Sequence, residues 1–298
     1  MLIRAATRGS PLARWQTDHV AALLRGIDPT IVVEAVVVTT TADARQDIPI
    51  SAMGGKGVFV KEVQAAVLDG RADIAVHSAK DLPSITHPDL AIAAVPERGD
   101  PRDALVGSTL AGLHPDSHVA TGSQRRQAQL AHHRPGMRFS TLRGSIATRL
   151  EKASAFDAIV VAHAALQRLG LTDLASEVLD PDVMLPQVGQ GALAIEARQG
   201  DRGLLDVLAG IDHPSSRRTL EAERAFLAEL GGDCDLPAGA YAVIVNDDVV
   251  RVDALIGSVD GMAMLRERVE ARDGVAAARS AARRLLDDRG GAGLLQQD

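Results

Sequence analysis

Three short stretches of this chain carry groups able to do chemistry. Gly231-Gly232-Asp233-Cys234-Asp235-Leu236-Pro237 holds the only thiol, in a segment rich in turn formers. His77-Ser78-Ala79-Lys80-Asp81-Leu82-Pro83 sets a cation beside a carboxylate where a strand-like apolar run ends. Thr121-Gly122-Ser123-Gln124-Arg125-Arg126 places two adjacent guanidiniums beside hydroxyls. A thiol suits covalent attachment. A carboxylate suits proton transfer and support of a developing cation. Clustered arginines bind carboxylates or phosphates through their planar forks. Together these groups suggest an enzyme with a polyanionic ligand.

The arginines carry most weight as a set. Arg8, Arg125, Arg126, Arg143, Arg149 and Arg168 are expected just after strands or in the first turns of helices. Those ends border the ligand crevice of open α/β sheets, and free N–H groups at helix starts favour anions. Any one of them could be an ordinary solvated arginine; the whole set at equivalent places argues for a ligand with several negative groups. Asp81 could equally be a turn residue tied to Lys80, yet it follows a strand end that faces the expected crevice. Cys234 also has a plain alternative, because a lone cysteine is most often a small buried hydrophobe. Asp233 and Asp235 make its burial awkward and disfavour a thiolate. That pattern suits a single alkylation leaving a stable thioether better than rapid turnover.

Other motifs carry less. Gly54-Gly55-Lys56-Gly57 is not a phosphate-binding P-loop, since Gly57 stands where Ser or Thr is needed. It reads as a flexible loop with one lysine. The nine histidines show no paired metal spacing, and no metal is assigned. His132 and His133 are expected to be exposed at a helix end.

The elements that must position these groups alternate. Leu2 to Ala6 reads as a strand, followed by a helix from an N-cap at Ser10 and Pro11 to about Arg25. Ile31 to Thr39 is β-branched and continuous, which predicts a buried strand. A helix over 61–68 and strands over 73–76 and 91–95 complete one α/β layer. The pattern repeats with strands over 117–120, 138–142 and 157–162 and helices over 124–132, 146–153 and 164–169. Turn formers at 96–101 and 185–191 suggest two crossovers, hence two lobes with a cleft. The last third differs: a helix over 214–230, a hairpin over 241–257 turning at Asp247-Asp248, and an amphipathic helix over 274–288. The predicted domains are residues 1–95 with 190–210, residues 100–187, and a small α+β domain over 213–298.

The chain has 298 residues, enough for about two domains at ~150 residues each. A formal net charge of -7 argues against generic nucleic-acid binding, which wants a basic face. One cysteine excludes an intrachain disulfide. The first residues are too charged for a secretory signal, and no apolar run approaches the ~18 residues of a membrane span. A soluble cytoplasmic protein without membrane or nucleic-acid partners is expected.

These motifs resemble one family over essentially the whole chain, that of hydroxymethylbilane synthase, also called porphobilinogen deaminase. The likeness lies in 6–13 (Ala-Thr-Arg-Gly-Ser-Pro-Leu-Ala), 54–59 (Gly-Gly-Lys-Gly-Val-Phe) and 75–81 (Ala-Val-His-Ser-Ala-Lys-Asp). It continues in Leu142-Arg143-Gly144, Val188-Gly189-Gln190-Gly191-Ala192, Glu221-Ala222-Glu223-Arg224 and the cysteine loop.

The resemblance implies a transferase that joins four porphobilinogen molecules head to tail, with loss of ammonia. The product is hydroxymethylbilane, for tetrapyrrole and haem biosynthesis. It implies a dipyrromethane cofactor held by Cys234 through a thioether, as a primer that stays attached. It implies that Asp81 assists ammonia loss, supports the cationic azafulvene and helps deprotonate the attacked pyrrole carbon. It places Arg8, Ser10, Ser78, Lys80, Thr121, Ser123, Arg125, Arg126, Arg143, Arg149 and Arg168 on acetate and propionate groups. Lys56 joins that set from a loop resembling the family's mobile cover. Two periplasmic-binding-protein-like lobes, a third domain with the cofactor loop, and a monomer are also implied.

The chain departs from the family at Gly122, where many relatives have Ser, at Ala52, where some have Lys, and at Asp233, where glycine is common. Two other readings compete. A non-catalytic two-lobed anion-binding protein explains the arginines but needs neither Cys234 nor Asp81. A cysteine-dependent acyl or thiol enzyme needs a base near Cys234, and the nearest histidine in sequence is His213.

Overall fold

A computed structural model describes residues 1–40, 57, 60–231, 236–246 and 248–295. Cys234, Asp233, Lys56, Ala52 and the hairpin residue Asp247 lie outside the described residues. The strands in chain order begin with β1 (Leu2–Arg8), β2 (Val32–Val38), β3 (Ile74–Ser78), β4 (Leu90–Ala94), β5 (Asp103–Val106) and β6 (His118–Ala120). They continue with β7 (Arg138–Ser140), β8 (Ala158–Ala162), β9 (Glu177–Val178), β10 (Leu193–Arg198), β11 (Ala238–Asn246), β12 (Val249–Gly257) and β13 (Met264–Ala271). Chain proximity separates two compact units, residues 1–99 with 192–217 and residues 100–191 with 218–298.

The first unit holds the sheet β2-β1-β3-β10-β4. β1 runs parallel to β2 and β3, whereas β10 is antiparallel to β3 and β4. Alternation along each strand sends side chains to two helical layers. Ile3, Ala5, Ile74, Val76, Ile195 and Ala197 meet Val20 and Leu24 of the Pro11–Ile27 helix and Leu204 and Leu208 of the Arg202–Ala209 helix. Ala6 and Ala75 face the other way, onto Val63, Ala66 and Val67 of the Lys61–Leu68 helix. The Pro11–Ile27 helix starts where the sequence predicts, with the Ser10 hydroxyl accepting the Ala13 N–H at 3.3 Å and proline at its first position.

The second unit repeats the design with the order β7-β6-β8-β5-β9. β6 is parallel to β7 and β8, and β5 is antiparallel to β8 and β9. Leu105, Val119 and Val160 pack with Leu130 of the Gln124–His133 helix. Ala104, Ile159 and Val161 face the opposite layer with Leu166 of the His163–Arg168 helix. This unit also contains the antiparallel sheet β11-β12-β13 of a small C-terminal domain. Alanines 277, 278, 281 and 282 of the Gly274–Arg283 helix and Phe226 cover one face of it.

Several expectations need correction. The 31–39 strand is not buried: β2 forms the sheet edge, and Val32 and Val37 are half-exposed. A β-branched run reports strand propensity but not how many neighbours the strand acquires. The helix predicted over 274–288 is α-helical only to Arg283 and then widens into a π-helical turn, Arg284–Asp288. His133 is half-buried; its Nε2 lies 2.9 Å from the Val183 carbonyl, and burial pushes its pKa down. The sequence reading also missed β5, β9, β10 and β13 and the Arg202–Ala209 helix.

The turn at 187–190 is pinned from within the second unit. Gly189 has a φ of +72°, a conformation that glycine adopts freely. Its N–H donates to Glu223 Oε2 at 2.7 Å, and the Ala242 N–H donates to Glu223 Oε1 at 2.9 Å. Glu223 is fully buried. Glu223→Ala would strand both N–H groups away from water, and a loss of about 3 kcal/mol in urea unfolding is expected. An unchanged midpoint would show that the carboxylate does not hold this turn.

Candidate active site

In the first unit, β1 and β3 end side by side and deliver their residues to one place. Arg8 is the last residue of β1, and Ser10 caps the helix that follows. Ser78 ends β3, and its hydroxyl accepts a hydrogen bond from Gln16 Nε2 at 2.8 Å. A single 3₁₀ turn, Ala79–Asp81, follows. The Ala79 N–H bonds the Ala192 carbonyl at 3.0 Å and the Leu82 N–H bonds that of Ala79 at 3.2 Å. This turn brings Asp81 to the wall of a cavity of about 60 Å³ also lined by Arg8, Ser10, Gln16, His77 and Ser78. Among the described residues, no hydrogen bond or ion pair occupies the Asp81 carboxylate. Half-buried Lys80 stands next to it in the same turn.

Sequence reasoning missed a polar cluster behind that cavity. His77 points to the face that carries the Lys61–Leu68 helix, as does Glu196 on the neighbouring antiparallel strand β10. His77 pairs with Ala194 in register, so Glu196 is its diagonal neighbour. His77 Nε2 lies 3.1 Å from Glu196 Oε2, in contact but off the line of a good hydrogen bond. Gln64 Nε2 donates to both Glu196 oxygens, at 3.1 and 2.9 Å. His77 and Glu196 are only 5% and 1% exposed. The sequence signal was a single polar residue inside each of two apolar strands, Ile-Ala-Val-His and Leu-Ala-Ile-Glu.

The second unit assembles the remaining candidates around the ends of β6, β7 and β8. Thr121 follows β6, and its hydroxyl accepts the Ser123 N–H at 3.2 Å. Ser123 caps the Gln124–His133 helix, with its hydroxyl facing the Arg126 N–H. Arg125 and Arg126 turn inward from the first turn of that helix. Arg125 donates through Nη2 to Asp103 Oδ2 at 2.8 Å and through Nη1 to the Leu185 carbonyl at 2.5 Å. Arg126 donates through Nη2 and Nε to Asp103 Oδ1 at 2.7 and 3.0 Å and through Nη1 to the Val160 carbonyl. Gln190 Nε2 adds a bond to Asp103 at 2.9 Å. Asp103 is wholly buried. Burial pushes its pKa up, but the Arg125 and Arg126 guanidiniums and the Gln190 bond outweigh burial and hold it far below the carboxylate range.

Arg143 sits in the expected turn, whereas Arg149 and Arg168 do not sit in first turns. Arg143 lies in the turn before the Ile146–Glu151 helix, where Gly144 has a φ of +114°. Its Nη1 is buried without a hydrogen-bond partner among the described residues. Arg149 and Arg168 are in the last turns of their six-residue helices, not the first. Arg149 Nε reaches back to the Gly144 carbonyl at 2.9 Å, and Arg168 Nη2 to the Gly191 carbonyl at 2.6 Å. Burial pushes the Arg168 guanidinium down to about 10. Gly122, where the family often has Ser, leaves ordinary room for a side chain, with a Cβ 3.4 Å from the Leu142 carbonyl.

Removing the Asp103 charge would leave two buried guanidiniums without their anion. Asp103→Asn is expected to destabilise by about 3–5 kcal/mol at neutral pH. The carboxyl pKa is depressed on folding, so its contribution is complete above the unfolded value of about 3.9 and fades as pH falls toward the folded one. Urea titrations should therefore show the gap between wild type and variant closing in acid. A gap that is constant or widens as pH falls below 4 would contradict the pairing.

Among the described residues no helix is long and apolar enough to cross a membrane. The family model "Porphobilinogen deaminase, dipyromethane cofactor binding domain" matches residues 3–206, and "Porphobilinogen deaminase, C-terminal domain" matches residues 218–287. A porphobilinogen deaminase of Roseiflexus castenholzii is 44% identical over 294 residues, covering 97% of each chain. One of Nitratidesulfovibrio vulgaris strain Miyazaki F is 44% identical over 280 residues, covering 91% of this chain and 88% of that one. Among solved structures, the methionine binding protein MetQ aligns over 70% of this chain and 88% of its own at 11% identity and a TM-score of 0.44. With both family models matched in order and relatives this similar over most of their length, the chain belongs to the porphobilinogen deaminase family.

Proposed function

We propose that this chain is a transferase that condenses four porphobilinogen molecules into hydroxymethylbilane for haem biosynthesis, acting in the cytoplasm as a monomer. Family membership supports the reaction, and one local observation carries the chemistry. The Asp81 carboxylate borders a cavity without a partner of its own among the described residues. A carboxylate left open in this way can oppose a developing cation and accept a proton, which a carboxylate spent on a salt bridge cannot. The non-catalytic anion-binding alternative leaves this feature unexplained.

The dipyrromethane primer fits the donor set. Arg143 Nη1, buried without a hydrogen-bond partner among the described residues, suits a carboxylate, and the Asp81 carboxylate, equally open among them, suits pyrrole N–H groups. When bound, the primer supplies a nucleophilic pyrrole carbon. On our reading Cys234 tethers it, and residues 213–298 form the domain that carries it. Arg8, Ser10, Ser78 and Lys80 of the first unit, with Lys56, are assigned to acetate and propionate groups. Thr121, Ser123, Arg143, Arg149 and Arg168 of the second unit are assigned likewise. Arg125 and Arg126 are assigned a supporting part in that set, because Asp103 already engages both guanidiniums. Asp81 holds the proton released at the attacked carbon and faces the cation left by ammonia.

Asp81→Asn preserves shape and removes the base. Turnover of porphobilinogen is expected to fall by at least about 100-fold with folding and primer attachment intact. Product formation at the wild-type rate would defeat the assignment. Arg143→Ala should accumulate short enzyme-bound oligopyrroles, visible by mass; an unchanged distribution of intermediates would count against its carboxylate role.

A further inference from the structure

We infer that His77 is a second proton-handling residue of this site, oriented by buried Glu196 and serving to re-ionise Asp81 between rounds. The inference rests on the reaction proposed above. Each condensation breaks the aminomethyl C–N bond, whose electron pair leaves on nitrogen as ammonia. It forms a C–C bond from the attacking pyrrole carbon and then breaks that carbon's C–H bond, whose pair returns to the ring. From the ammonium form of the monomer, one ammonia and one proton are released per round. If Asp81 takes that proton, it must lose it before the next monomer can react.

His77 is built to receive it. His77 and Asp81 line the same cavity, and His77 Nε2 is buried 3.1 Å from Glu196 Oε2. Nε2 sits against the Glu196 carboxylate without making a good hydrogen bond, and a neutral imidazole keeps one ring nitrogen able to accept a proton. Gln64 fixes the carboxylate by donating to both of its oxygens. An imidazolium formed there lies beside the Glu196 carboxylate, and it must hand its proton on to water in the cavity before the next round. A cavity of about 60 Å³ has room for water to bridge the two residues. A carboxylate that orients a histidine, which in turn serves a reacting group, is a recurrent arrangement for proton transfer. Burying a glutamate inside an otherwise apolar strand is costly, and a purely structural role would be met as well by an apolar pair.

The test uses the purified, primer-loaded chain and porphobilinogen. His77→Ala is expected to lower kcat by about 100-fold while KM moves less than about 3-fold, and imidazole added to the assay should restore about ten-fold. Glu196→Gln keeps the shape, removes the orienting charge and should lower kcat by about ten-fold. Either variant folded, loaded and within about two-fold of wild type would overturn the inference. So would a His77→Ala loss that imidazole leaves untouched. If His77→Ala does not fold, Glu196→Gln decides alone. A loaded wild type unable to consume porphobilinogen would overturn the functional reading and this inference with it; an active wild type beside unaffected variants overturns this inference only.

Discussion

The second unit is organised around one buried carboxylate. Asp103 opens β5 with no exposure to water, and such a charge is tolerated only when paired and fully hydrogen-bonded. Two guanidiniums and one amide satisfy it, and the same groups reach on to the backbone of Leu185 and Val160. One acid thereby fixes the first turn of the Gln124–His133 helix against β5, β8 and the segment leading to the 187–190 turn. Gly239 lets β11 approach closely: a Cβ there would lie 3.1 Å from the Arg125 side chain and 2.7 Å from the Pro186 carbonyl. Glu223 holds the far side of the same turn.

Against that background, the groups left open stand out. Arg125 and Arg126 are committed to Asp103, while Arg143 Nη1 and the Asp81 carboxylate are not committed among the described residues. Such a division suits a protein that must hold a many-charged ligand without folding around it. Buried charges that support the fold are paired internally, and those proposed for the ligand stay at strand and helix ends. The first unit follows the same logic with different chemistry. Ser10 and Gln16 are used locally, as cap and as donor to Ser78, and Asp81 on the same cavity is kept clear among the described residues.

Local signals were legible in the sequence, and distant pairings were not. The Ser10-Pro11 start needs only four consecutive residues, so capping rules locate it. β5 and β10 are short apolar runs next to crossovers, and their place between other strands depends on partners far along the chain. Arg125 looks like a ligand arginine in sequence because its acid, Asp103, is 22 residues away. Glu196 meets Gln64 across 132 residues, which no spacing rule could anticipate. Arg149 falls in a last turn because its helix stops at Glu151, short of the predicted 153. Cys234 and Lys56 remain readings of sequence and family resemblance.

On the reading proposed here, a primer of two linked pyrrole units is tethered to Cys234 and elongated at Asp81. Intact mass of freshly purified protein tests it most directly. The mass should exceed that of the sequence by one dipyrromethane, and Cys234→Ala should abolish both the increment and turnover. An active wild type whose mass equals that of the bare sequence would contradict the account.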